Sequence, residues 1–210
     1  FASCFALTEI EFPEGLETIG DGVLYHCLSL TSVVIPASVT EMGDRPFSGD
    51  WALKTVEIKG NVPRLSNRSF HECDALQEVL ITGSVETIGE DAFMDLDSLE
   101  RVQIASGLKT IGKRAFWLCD NLTTVSLPDG VTSIGEEAFK ECSSLTTINL
   151  PNSITTIGAN AFNGTKLTGP LNIPSSLVSL GDNAFHGCGG ITGTLLFPGA
   201  LENISTNVFA

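Results

Sequence analysis

The sequence predicts an α/β repeat solenoid: one chain coiled into a continuous array of strands and short helical turns. Three observations predict it. First, "KTIGKRAFWLCDNLTTVSLP" (Lys109 to Pro128) and "TSIGEEAFKECSSLTTINLP" (Thr132 to Pro151) are nearly the same string, one period apart. Second, an anchor residue recurs at Phe1, Leu24, Phe47, Phe70, Phe93, Phe116, Phe139, Phe162, Phe185 and Phe209. Eight of the nine intervals are 23 residues and the last is 24, with the extra residue between Cys188 and Pro198. Third, the apolar residues hold one register within every unit. Self-similarity at a fixed period of about 20 to 50 residues is the signature of repeat architectures. So strict a period leaves no room for a separate domain or linker. Residues 1–210 therefore read as a single array of about nine 23-residue repeats. The chain starts without Met on one anchor and stops one residue after another, so the array is expected to be truncated at both ends from a longer chain.

Within the unit Ile134 to Pro151, Ile134-Gly135 closes a turn. Glycine recurs four residues before the anchor at Gly20, Gly43, Gly89, Gly112, Gly135, Gly158 and Gly181. It suits either a positive φ or close approach to a neighbouring coil. An acid often follows, as at Glu136, where it would complement the dipole of a helix start. Next, "AFKEC" places Ala138, Phe139 and Cys142 on one face of a short helical turn. After Leu145, Ile148 and Leu150 alternate with outward residues as in a short strand. Pro151 ends that strand, having no N–H for a ladder bond. A second extended piece carries Ile154 and Ile157 into the next turn. One unit alone cannot bury its apolar side, but stacked units place Phe over Phe and Ile over Ile. Parallel pairing at about 4.8 Å makes nine units span on the order of 45 Å.

The string I-G-x-x-A-F-x-x-C-x-x-L-x-x-[IV]-x-[IL]-P resembles the BspA-type leucine-rich repeat of bacterial and protist surface proteins. The match runs the whole chain and is best at Ile111 to Pro128 and Ile134 to Pro151. Departures are local. Leu24 replaces the anchor Phe, and Asp50, Leu96 and Thr165 replace the Cys. Lys59, Thr82 and Ala105 stand where Pro would end the strand, and "NGTKLTGPLNIP" places Leu167 one residue early. The resemblance implies a curved leucine-rich-repeat array. Its parallel β-sheet would lie on the concave face, with helical turns and short strands on the convex side. It also implies surface adhesion or matrix binding, as in some relatives. It transfers no catalytic residue, because the motif positions are core positions.

Charge narrows the partners. The net charge is −14, with 25 acidic against 11 basic residues and a pI near 4.4. Nucleic-acid affinity rests on Lys and Arg neutralising phosphates, so DNA, RNA and anionic membranes are disfavoured. No run of about 18 apolar residues is present, so this segment is not expected to insert into a membrane. The expected partner is protein: a matrix or host protein, or neighbouring subunits. The expected location is extracellular or at the cell surface. The alternative is a structural scaffold or spacer within an intracellular large assembly.

Residues that resemble chemistry fall into the repeat register. Cys4, Cys27, Cys73, Cys119, Cys142 and Cys188 all lie three residues after an anchor. Cys73 and Cys188 have no Cys in an adjacent coil, and a column neighbour two coils away lies about 10 Å off, beyond disulfide reach. Only Cys4–Cys27 and Cys119–Cys142 are geometrically conceivable, and buried thiols are expected throughout. No C-x-x-C motif or His cluster suggests a metal. His26, His71 and His186 lack an adjacent nucleophile. No catalytic group, metal or cofactor is expected, and the function predicted is non-catalytic macromolecule binding.

Two surfaces remain as candidate binding sites. Eight and ten residues after each anchor, the outward residues of the main strand vary while the core does not. The candidates on this concave face are Glu9, Glu11, Glu57, Glu78, Arg101 and Gln103, acidic in the first half of the array. Aligned carboxylates concentrate negative potential and favour a basic or polar protein surface. The rival is a convex ridge of Met94 and Trp117, each one residue after its anchor. Asn67, Asn121, Asn163 and Asn203 begin N-glycosylation sequons, which support a eukaryotic secretory route.

Overall fold

The computed structural model describes residues 1–205 and 207–209, and shows a solenoid of about eight turns built from parallel strands. The strands Ser32–Ile35, Thr55–Ile58, Glu78–Ile88, Arg101–Ser106 and Thr124–Val125 form the main ladder. Their register is one repeat: Ser32 lies beside Thr55, then Glu78, Arg101 and Thr124. A second ladder joins Asn61–Leu65, the latter part of Glu78–Ile88, Thr110–Ile111, Ser133–Ile134, Thr156–Ile157 and Ser179–Leu180. Two separate pairs, Thr18–Ile19 with Glu41–Met42 and Thr168–Pro170 with Gly190–Thr192, complete the strands. Val33, Ile35, Val56, Ile58, Val79 and Ile81 alternate into the core, as period-two patterning requires.

The core is a set of columns. Phe47, Phe70, Phe93, Phe116, Phe139, Phe162, Phe185 and Phe209 stack with ring centroids 4.8–5.3 Å apart and planes within 11° of parallel. This spacing equals the rise of one coil, so each Phe covers the next. The glycine before each anchor is present because coils approach closely. A Cβ on Gly135 would lie 2.6 Å from the Gly112 carbonyl carbon, nearer than real Cβ atoms come, and its φ is not positive.

The expected helical turn is absent, and no described residue is helical. "AFKEC" is instead a run of tight turns. Two residues before and two after each anchor the backbone is left-handed, for example at Arg114 and Leu118, Glu137 and Glu141 (φ 51, 60, 56 and 60°). Right-handed helical bonding cannot continue through such residues. Each costs about 1–2 kcal/mol for an L-residue. An inter-coil ladder offsets this cost. The Phe93, Phe116 and Phe139 amides donate to the Ala115, Ala138 and Ala161 carbonyls at 2.7–2.8 Å. Glu137 N–H reaches the Ala159 carbonyl and Glu141 N–H the Asn163 carbonyl, both at 2.8 Å. Glu136 therefore opens no helix and meets no helix dipole. The local signal for this conformation is the Gly and Asn at the same places: Gly22, Gly49, Asn160, Gly164, Asn183, Gly187 and Asn207.

The strand ends follow the prolines only in part. Pro36 directly follows Ser32–Ile35 and Pro128 follows the short Thr124–Val125, whereas the residues directly before Pro151 and Pro174 form no strand, so the strand expected to end at Pro151 is absent. At Thr82 and Ala105 the backbone keeps its N–H and the strands run on, whereas Thr55–Ile58 stops at Ile58 although Lys59 also keeps its N–H. Glu78–Ile88 is thus continuous for 11 residues and joins the two ladders. Lys59 N–H donates to the Ile35 carbonyl at 3.0 Å, a bond that Pro could not make.

Candidate functional site

The outward column of the main sheet is in single-residue register. Ser32, Thr55, Glu78, Arg101 and Thr124 form one line, and Val34, Glu57, Leu80 and Gln103 the next. Glu9 and Glu11 lie in extended chain that forms no ladder with Ser32–Ile35. They remain exposed and line a cleft of about 350 Å³ with Glu14 and Lys59. Glu57 and Glu78 are partly neutralised. Glu57 is 3.7 Å from Lys59, and Glu78 forms an ion pair with the Arg101 Nε at 3.2 Å. Half-exposed pairs of this kind are worth about 0–1 kcal/mol. The acidic half of the face is therefore less negative than the sequence suggests, and Glu9 and Glu11 are its unpaired acids among the described residues. Further along, Leu80, Gln103, Thr124 and Ser126 border a shallow depression of about 440 Å³.

The Met94–Trp117 pair does lie in adjacent coils, joined by the Asp95 N–H to the Trp117 carbonyl at 2.7 Å, but neither residue is freely exposed. The Arg114 guanidinium sits 5.9 Å from the centre of the Trp117 ring. It is held there by Asp91 at 2.8 and 3.1 Å and by Glu90 at 3.1 Å. Its pKa is raised chiefly by the hydrogen bond to Asp91. The ridge is thus partly covered by a fixed cation, and the Trp117 Nε1 is shielded without a protein acceptor among the described residues.

Asp91 is a buried carboxylate, and Arg68 and Arg114 both reach it. Nearby, Arg45, Arg64, Arg68, Asp44, Glu90 and Asp91 border a cavity of about 280 Å³ whose charges balance. Asp50 has no such partner. It stands in the Cys column, where its Oδ1 accepts from the Cys27 amide at 2.7 Å and its Oδ2 is buried without a partner. Burial pushes its pKa up to about 8, so the carboxyl is mostly protonated at neutral pH.

All six cysteines are free, and five are buried. Each buried thiol donates to the anchor carbonyl of the preceding coil. Cys119 reaches Phe93, Cys142 reaches Phe116 and Cys73 reaches Phe47, at 2.9–3.0 Å. Burial raises these thiols, Cys142 to about 12. They are the buried thiols that the repeat register predicts, and they act as structural donors, a role that their spacing in the sequence does not reveal. His26 lies across Gly49, and its Nε2 is 3.9 Å from Glu72. His71 contacts the same Glu72 at 3.8 Å. Among the sequons, the Asn121 side-chain amide donates to the Asp97 carbonyl at 2.7 Å and that of Asn163 to Asn160 at 3.0 Å. Asn67 uses its oxygen, accepting from Glu90 N–H at 3.0 Å, and Asn203 is exposed. No cluster of three or more metal-ligating side chains occurs among the described residues. No helix long and apolar enough to cross a membrane occurs among the described residues.

The family described as "BspA type Leucine rich repeat region (6 copies)" matches residues 1–123 and 109–210. The chain belongs to the BspA-type leucine-rich repeat family. Solved structures of such repeats are similar to it. A leucine rich cell surface protein of Faecalibacterium prausnitzii is 34% identical with a TM-score of 0.61, over 93% of this chain and 46% of that one. The T. pallidum leucine rich repeat protein is 27% identical with a TM-score of 0.63, over 86% of this chain and 74% of that one. A leucine-rich repeat protein of Eubacterium ventriosum is 30% identical with a TM-score of 0.54, over 77% and 38%. The BspA-type array described here thus spans about half the length of the Faecalibacterium protein. No curated protein matches the chain.

Proposed function

We propose that this array is a non-catalytic protein-binding domain of a surface or secreted protein, and that its partner docks on the outward face of the main sheet. The supporting observation is the contrast between columns. The inward strand positions repeat Val and Ile coil after coil, whereas Glu57, Glu78, Arg101 and Gln103 differ at equivalent outward places where packing demands nothing. Surface location is supported by the similarity to the leucine rich cell surface protein of Faecalibacterium. Glu9 and Glu11, unpaired, supply the negative end of the face, and Arg101 and Gln103 its neutral to basic end.

The test uses a partner recovered by cross-linking on intact cells. Its affinity is measured for the wild-type array, for Glu57→Lys with Glu78→Lys, and for Trp117→Ala. The expected result is loss of affinity and of salt dependence in the double reversal only. Unchanged binding there, with loss in Trp117→Ala, would move the site to the opposite side of the solenoid.

A further inference from the structure

Between the Cys column and the main sheet the coils make a tight turn, except the coil after Phe162, where Leu167 comes one residue early. Its closing bond runs from the Leu amide to the carbonyl three residues earlier, as in Leu30 to Cys27, Leu53 to Asp50, Leu76 to Cys73, Leu99 to Leu96 and Leu122 to Cys119, all at 2.9–3.1 Å. The two central residues project outward. Exposed turns are dominated by Gly, Pro, Asn, Asp and Ser, and the pairs Asp74-Ala75, Asp97-Ser98, Asp120-Asn121 and Ser143-Ser144 begin with such a residue. The first three coils do not. They carry Phe5-Ala6, Leu28-Ser29 and Trp51-Ala52. Phe5 is 56% exposed and Trp51 55%. Trp51 has coils on both sides, so its exposure does not come from the end of the array. Leu28 is half-buried, but neither turn chemistry nor burial calls for the exposed rings of Phe5 and Trp51, and exposed aromatics of this kind anchor interfaces.

The column changes character at one point. Phe5, Leu28 and Trp51 give way to Asp74, Asp97 and Asp120. No Lys, Arg or His nitrogen lies within 4 Å of these three acids among the described residues. An occupant of the apolar part that continues along the strip must therefore place cations over the aspartates. The spacing selects its conformation. Coils repeat every 4.8–5.3 Å. One face of an α-helix presents a side chain about every 3.5 residues, or roughly 5.2 Å. Same-face residues of an extended strand are roughly 6.7 Å apart and slip out of step within three coils.

We propose that the turn column Phe5, Leu28, Trp51, Asp74, Asp97 and Asp120 is a docking strip for an amphipathic helix of a partner protein, apolar along one half of its contact face and basic along the other. Six coils cover about 25 Å, which about 17 helical residues span. Anionic membrane and nucleic acid are repelled by the aspartates. This strip is separate from the main-sheet face, so either can fail without the other.

The test uses two synthetic 18-residue peptides of identical composition. One carries three Leu and then three Lys at the 3.5-residue spacing of one helix face. The other carries the same six residues at two-residue spacing. Fluorescence anisotropy is read at roughly 50 and 300 mM salt, with a neutral hexasaccharide as a third probe. The helical pattern is expected to bind saturably and at least ten-fold tighter than its rearranged twin. Trp51→Ala should weaken it at least ten-fold. Asp97→Lys should weaken it about five-fold and flatten the salt dependence. Glu57→Lys with Glu78→Lys should leave it unchanged. Trp51→Ser, which installs the turn residue found at Ser143, serves as the second variant, with the urea midpoint as a folding control. Equal binding of the two peptides, no saturation at millimolar peptide, or saturable binding of the hexasaccharide alone would overturn the proposal.

Discussion

Residues 55–106 and residues 124–180 share one period and differ in how far their strands run. In the first region Glu78–Ile88 spans 11 residues and Arg101–Ser106 spans 6. In the second, Thr124–Val125, Ser133–Ile134, Thr156–Ile157 and Ser179–Leu180 span 2 residues each, and Thr168–Pro170 spans 3. The second region contains the Ile134 to Pro151 unit, one of the two best matches to the family motif. The first contains the departures Lys59, Thr82 and Ala105. Motif fidelity therefore reports the core columns and the anchor turns. Where Thr82 and Ala105 keep an N–H the strand continues past them, but at Lys59 the kept N–H permits a longer strand without enforcing one. Both regions carry the same Phe stack and the same inter-coil ladder of left-handed turns, so cohesion between coils does not depend on the main sheet alone.

If that is so, removing one ring should cost the same in either region. Phe93→Ala and Phe139→Ala are each expected to lose about 3–5 kcal/mol in urea unfolding. A clearly smaller loss at Phe93, beside the longest strands, would show that extra sheet bonding substitutes for ring stacking. A lesser effect, a few kcal/mol, belongs to Asp50, just ahead of the first region. Its folded pKa of about 8 lies above the model-compound value of 3.8, so the folded chain holds an extra proton between those limits. Stability should be fullest below about pH 4 and fall as pH rises to about 8. Asp50→Asn should flatten that slope in urea titrations, and an unchanged slope would place the titration elsewhere. The smallest effects bear on the difference itself. Lys59→Pro removes the bond to the Ile35 carbonyl and should cost about 1–3 kcal/mol. Pro128→Thr should lengthen its strand and gain no more than about 1 kcal/mol, with amide exchange showing new protection at residue 128.

Much of this was legible in the sequence because the period is strict. Ile134, Phe139, Cys142 and Leu145 are all buried where the repeat places them. The glycine at Gly135 is legible as close approach to a neighbouring coil, here Gly112, whereas the strand expected to end at Pro151 does not form. The helical turn was misread because Ala, Phe and Cys at helical spacing fit either conformation. The opposing signal was Gly and Asn two residues either side of the anchor. The main-sheet column could be named residue by residue, but its charge could not. Glu78 is neutralised by Arg101, 23 residues away, and such pairing follows from stacking, not from composition.

The sequence by itself determined the coil, its pitch-to-residue register and which side chains face inward, because a fixed period with fixed apolar positions admits one way of stacking. Only the tertiary structure decided the rest. It turned each "AFxxC" into a left-handed ladder, because amides left over from a helix find carbonyls in the adjacent coil. It made the cysteines donors to those coils and left Asp50 without a counter-charge. It also set Phe5, Leu28 and Trp51 side by side on the surface. The physical reason is common to all four: each interaction joins residues one coil apart, in contact only once the array has closed on itself.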